Sequence, residues 1–252
     1  MLGSAEAWVG RRPVDLGSPK QRTVASILLL EAGRPVPMET LIGRVWGQTP
    51  PPQARESVYA YVARLRGLLE PGRGRRPRIV KDAAGYRIDV DPDTVDLHRF
   101  QRYVAASHAE SSAARRHRHL GSALALWRGT ALSGLEGAWC DRVRAWLDEE
   151  HVAALALFAE TKIALGRGEE AVRMLRRAIA ARPASETLVA QLIRAQTAGG
   201  HQADALRTYA AARTLISREL GSEPGAELRD LYENLLRGTA RNPMRVVPGR
   251  AG

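Results

Sequence analysis

The chain is poor in cysteine and in long apolar runs, and each shortage removes a class of protein. A single cysteine, Cys140, rules out an internal disulfide and a cysteine-built metal site. It sits near Trp139, Val143 and Trp146 in a helical-looking stretch, which reads as a packed or idle thiol rather than a reactive one. The longest apolar stretch, VASILLL at residues 24–30, falls far short of the roughly 20 residues that cross a bilayer. The N-terminus has no charged-then-apolar leader pattern, so a soluble, cytoplasmic protein with no membrane partner is expected. Also missing are the phosphate-cradling P-loop, the nucleophile elbow and the zinc-protease helix motif, so the chain reads as no enzyme. His117 and His119 lie close together in RRHRHL, but no further ligand follows at metal spacing. They read as a solvated basic helix face, and neither metal nor cofactor is expected.

What is present is positive charge. The 252 residues carry a formal charge of +11, with 35 Arg among the 38 basic side chains and a pI near 10.7. Such a surface attracts polyanions, nucleic acid among them. Arginine suits phosphate and guanine, although an Arg- and Ala-heavy composition is equally what a GC-rich genome produces. Residues 1–92 hold 15 basic and 9 acidic side chains, and residues 93–252 hold 23 and 18. The density peaks from Arg73 to Lys81, where Arg73, Arg75, Arg76, Arg78 and Lys81 occur in nine positions with no acid among them. This segment is either a solvated loop or a phosphate contact.

Length favours two domains. Residues 1–17 offer short apolar pieces around a GRR turn, a small hairpin. Ser18 and Pro19 then open a helix with an apolar stripe of Val24, Ile27, Leu28 and Leu30, closed by Gly33. A second helix runs from Pro37 through Trp46, and after QTPPPQ a third runs from Arg55 to Leu69 with Val58, Val62, Leu65 and Leu69 on one face. IVKDAAGYRIDV reads as a β-hairpin. Helix, helix, turn, helix, hairpin is the order of a winged helix.

From Thr94 to about Gly238 the pattern is helical, broken at WRGTALSG, LGRG, ARPAS, AGGH and LGSEPG. A shift of 34 residues pairs Leu192 with Phe158, Gly200 with Gly166, Ala205 with Ala171, Tyr209 with Leu175 and Ala212 with Ala178. That period belongs to tetratricopeptide-type helix pairs. The fold class expected is mainly α: an N-terminal winged helix-turn-helix of α+β character at 1–92, then an all-α tetratricopeptide-like domain at 93–238. Residues 239–252 lack periodicity and read as a disordered tail.

RRPVDLGSPKQR, LIGRVWG with its proline turn, SVYAYVARLRGLLE, GYRIDV, VDLHRFQRYV, ALALWRGTAL and ELGSEPGAELRDLYENLL occur in an order and spacing that carry a family. The chain resembles the Streptomyces antibiotic regulatory proteins, which join an OmpR-type winged helix to a bacterial transcriptional activation domain. The match covers nearly all of the chain up to Gly238. The resemblance implies a sequence-specific activator, pathway-specific for secondary metabolite (antibiotic) biosynthesis. It further implies binding to direct repeats in promoter double-stranded DNA, a second protomer on that DNA, a nucleoid-associated location, and contact with RNA polymerase holoenzyme including its sigma factor. A helical-repeat adaptor or small-molecule sensor, with DNA binding secondary, is the alternative reading.

If the third helix enters the major groove, Arg64 is the best base reader, with Ser57 and Tyr61 able to bond bases or phosphates. The other reading of Arg64 is an exposed helix-face charge. Arg55, Arg66, Arg73, Arg75 and Arg76 are assigned to phosphates. Trp46 resembles the tryptophan that aims its indole N–H at a phosphate in this class, against the alternative of a core side chain. Lys81 stands at the position of the wing residue that reaches the minor groove in related proteins, with Asp82 beside it as a source of repulsion.

Overall fold

A computed structural model describes residues 1–9, 12–69 and 77–241. The chain divides into two compact units: Met1–Ala106 with Gly121–His151, and Ser107–Leu120 with the chain from Val152 onward.

In the first unit a hairpin of β1 (Ala7–Val9) and β2 (Arg12–Val14) leads into α1 (Pro19–Leu30). The Ser18 hydroxyl accepts from the Gln21 N–H, and Pro19 takes a first-turn position where no donor is lost. Val24, Ile27 and Leu28 of α1 are fully buried, as the stripe requires. They lie in one core with Leu41 and Val45 of α2 (Met38–Trp46) and with Val58, Val62 and Leu65 of α3 (Ala54–Leu69). Each such side chain contributes about 1.5–3 kcal/mol of transfer free energy.

The wing is β3 (Arg78–Asp82) paired antiparallel with β4 (Gly85–Asp89), turning at Ala83 and Ala84. Asp82 shapes the turn by accepting from the Ala84 and Gly85 N–H groups at 2.8 and 3.1 Å. Val36, between α1 and α2, pairs with Tyr86 by two backbone bonds of 2.7 and 2.9 Å, which fastens the wing to the helices. The close approach dictates glycine at 85: its φ is +142°, and a Cβ there would stand 2.1 Å from the Val36 carbonyl oxygen.

Beyond a 3₁₀ turn at Pro92–Thr94 follow α4 (Asp96–Ala109), α5 (Ala113–Leu124) and α6 (Ala138–Ala164). Residues 121–151 pack with the winged helix. Trp127 meets Phe100 edge to face and stacks on His151. The Arg144 guanidinium donates to the carbonyls of Ala131 and Leu135, and the backbone of residues 128–133 bonds that of Met1–Gly3. A single parallel bridge, Ser4 to Ser133, joins the ends of that contact, so the helical half supplies one paired residue that no strand pattern announced. Cys140 is buried, and burial pushes its thiol above the ordinary value, with a bond to Thr23 opposing.

The second unit contains α7 (Gly168–Ala181), α8 (Glu186–Ala198), α9 (Gln202–Leu220) and α10 (Ala226–Arg241). Gly166 and Gly200, 34 residues apart, both take positive φ, and each is followed by a residue whose N–H closes the same type of helix end, Arg167 to Lys162 and His201 to Gln196. Ala171 and Ala205 are fully buried where the repeat needs small side chains. Val189, Ile193, Tyr209, Ile216 and Leu228 build the core around Ala205. The fold is thus mainly α, a winged helix followed by a helical domain.

Two expectations change. The RRHRHL face is not simply solvated: His117 turns inward, stacks on Phe158 at 4.5 Å, and places Nδ1 3.0 Å from the Thr161 hydroxyl. An amphipathic imidazole can bury its ring and keep one polar contact, which the surrounding arginines masked in sequence. Helix α10 also continues to Arg241, past the expected boundary at Gly238. Residues 242–252, the rest of the expected tail, lie outside the described residues.

Candidate nucleic-acid interface

Helix α3 has two unlike sides. Val58, Val62 and Leu65 face the core, whereas Glu56, Tyr59, Ala60, Ala63, Arg64 and Gly67 are exposed. At 3.6 residues per turn, Ala60 and Gly67 mark the middle of the outward face, with Arg64 and Ser57 to one flank and Glu56 and Ala63 to the other. The middle is therefore lined by residues too small to hold a groove away.

Among the described residues the Arg64 side chain has no hydrogen-bond or ion-pair partner, so its guanidinium fork is unspent. Ser57 is half-buried beside it. Arg55 is exposed and ion-paired with Glu39 of α2, an exposed contact worth about 0–1 kcal/mol and easily exchanged. Arg66 is half-buried and already engaged: its Nε donates to the Ile79 carbonyl at 2.8 Å, and its guanidinium lies over the Tyr86 ring. A phosphate would have to share this group with the fold. Arg73, Arg75 and Arg76 lie outside the described residues.

Two cation–aromatic pairs flank the outward face. On one side Trp46, half-buried at the end of α2, stacks with Tyr61 at 6.4 Å, and the Lys20 ammonium lies 5.2 Å from the Trp46 ring. On the other side the Lys81 ammonium of the wing lies 5.1 Å from the ring of Tyr59, which is 41% exposed, and 5.9 Å from that of Tyr86. Burial pushes the Tyr86 hydroxyl above its ordinary value; Tyr59 adds to this and Arg66 opposes it. Asp82, beside Lys81, is occupied by the wing turn and stands 3.7 Å from an Arg87 nitrogen. Its charge is partly answered within the wing, which lessens the repulsion expected from its position.

The structure thus brings together Trp46, Ser57, Tyr61, Arg64 and Lys81 around α3. Sequence reasoning missed Lys20, Glu56 and Tyr59. A signal existed for Lys20, since the chain has three lysines and this one opens the helix packed against α3. Tyr59 gave none, because an exposed tyrosine between Val58 and Val62 looks like any surface aromatic.

A family model described as "Transcriptional regulatory protein, C terminal" matches residues 11–88, and one described as "Bacterial transcriptional activator domain" matches residues 95–236. The transcriptional regulatory protein EmbR of Mycobacterium tuberculosis is 37% identical over 243 residues, 94% of this chain and 62% of EmbR. The regulatory protein AfsR of Streptomyces coelicolor is 35% identical over 240 residues, which cover 94% of this chain but 24% of AfsR. The transcriptional regulatory protein MoaR1 of Mycobacterium tuberculosis is 32% identical over 261 residues, 99% of this chain and 83% of MoaR1. A solved structure of EmbR in complex with a low-affinity phosphopeptide superposes with a TM-score of 0.83 at 32% identity, covering 94% of this chain and 64% of that one. The chain therefore spans less than two thirds of EmbR and about a quarter of AfsR. With both domain models matched in order across 11–236, the chain belongs to the Streptomyces antibiotic regulatory protein family of transcriptional regulators.

Proposed function

We propose that the protein is a sequence-specific transcriptional activator whose residues 1–92 bind promoter DNA and whose residues 93–238 recruit RNA polymerase holoenzyme, including its sigma factor. The observation that carries this reading is the outward face of α3, where an unspent Arg64 stands between two aromatic-held lysines. With α3 in the major groove, Arg64 donates two bonds to a guanine, and Ser57 and Tyr61 reach bases or phosphates. Trp46, Arg55, Arg66, Arg73, Arg75 and Arg76 serve the phosphates, and Lys81 carries the wing toward the minor groove.

Neighbouring protomers bind head to tail on direct repeats, and the genes controlled belong to secondary metabolite biosynthesis. Protection mapping across promoters of the protein's own genomic neighbourhood tests this. Direct repeats spaced by whole helical turns are the expected footprint. Protection of inverted half-sites alone, or no protection in moderate salt, contradicts it. In vitro transcription on a protected promoter then reads activation directly.

A further inference from the structure

Glu56 is the one acid on the outward face of α3. Its neighbour Arg55 is ion-paired with Glu39 rather than with Glu56, and among the described residues Glu56 itself has no hydrogen-bond or ion-pair partner. A helix that approaches a polyanion with a bare carboxylate meets repulsion unless a donor on the ligand answers it. In the major groove the donor that matches a glutamate is the N4 amino group of cytosine.

The spacing is specific. Glu56 and Arg64 are eight residues apart, about 12 Å along the helix axis, with the small side chains of Ala60 and Ala63 between them. Base pairs succeed one another at about 3.4 Å, so a helix lying along the groove sets the two side chains three to four pairs apart. We infer that Glu56 is a specificity-determining residue that accepts a hydrogen bond from a cytosine N4 about three to four base pairs from the guanine read by Arg64. The inference rests on the proposed placement of α3 in the major groove.

The first helical turn also suits an acid through the helix dipole. That contribution needs no DNA and is blind to sequence. Selection of bound duplexes from a randomised pool separates the roles, using the full chain as wild type, Glu56→Gln, Glu56→Ala and Arg64→Ala, with a melting curve for each. The wild type is expected to enrich a cytosine at the stated distance from a guanine, and Arg64→Ala to lose the guanine. Glu56→Ala should lose the cytosine preference by roughly tenfold. Glu56→Gln should transfer the preference to adenine, whose N6 and N7 match an amide. It should also bind scrambled DNA more tightly, since a repulsive charge is gone.

If the wild type enriches a site but both Glu56 variants keep its cytosine preference, or if the wild type prefers adenine there, this inference alone is overturned. Melting that falls while base preference stays fixed would leave Glu56 as a helix-dipole residue. If the wild type enriches no sequence, the proposed function falls and this inference with it.

Discussion

Arg66 donates its Nε–H to the carbonyl oxygen of Ile79 at 2.8 Å, tying α3 to the first strand of the wing. The same guanidinium covers the ring of buried Tyr86. The orientation of Lys81 relative to Arg64 therefore depends on a residue that sequence reasoning assigned to phosphate. Arg66→Ala should lower unfolding stability by about 1.5–3 kcal/mol, the range of a charge-assisted hydrogen bond, as read by denaturant melting of the first unit. A loss of DNA affinity without loss of stability would instead make Arg66 a direct contact.

Two glycines predict opposite signs. Gly85→Ala would drive a Cβ into the Val36 carbonyl at a φ of +142°, so a fall of more than about 2 kcal/mol is expected. Gly67 lies in the last turn of α3 with nothing within 4 Å of an added Cβ, and Gly67→Ala should stabilise by up to about 0.5–1 kcal/mol. Melting of the two variants beside the wild type reads both signs.

The contrast between these glycines mirrors what the sequence could convey. Helices α1 to α3 and the wing were legible because Ser18, Pro19, the Val58, Val62, Leu65 stripe and the turn before Gly85 are local signals. The 34-residue repeat was legible for the same reason, since Gly166 and Gly200 follow α6 and α8, the first helices of two successive pairs, in the same way. The pairing of Val36 with Tyr86, and of Met1–Gly3 with residues 128–133, uses backbone groups that every residue owns, so nothing in the side-chain pattern disclosed it. At the site, Arg64 was singled out by its helical phase once the family resemblance suggested α3 as the helix that enters the groove. Tyr59 and Lys20 acquire meaning only from cations and rings that distant segments bring beside them.

The inward turn of His117 has a pH consequence. Burial holds its imidazole below the ordinary histidine value, and Lys162 and Arg167 act in the same direction against the weaker pull of Glu170. The unfolded chain therefore binds a proton more readily than the folded one, so stability is full above about pH 6.5 and falls as pH drops below it. Melting temperature should decline between about pH 7 and 5, and His117→Gln should flatten part of that decline. Equal slopes for wild type and variant would show that the imidazole titrates alike in both states.

Base reading by Arg64 is tested most directly by titrating a cognate and a scrambled duplex at several salt concentrations, with wild type, Arg64→Ala and Arg75→Ala/Arg76→Ala. Arg64→Ala should lose about 1–3 kcal/mol on the cognate duplex, change less on the scrambled one, and relax the preference at one base position. The double variant should lose nearly equal affinity on both duplexes and show a log–log salt slope shallower by up to about 0.9 per contact removed. An unchanged cognate-to-scrambled ratio in Arg64→Ala, together with its collapse in Arg75→Ala/Arg76→Ala, would contradict the placement of the reading head on α3.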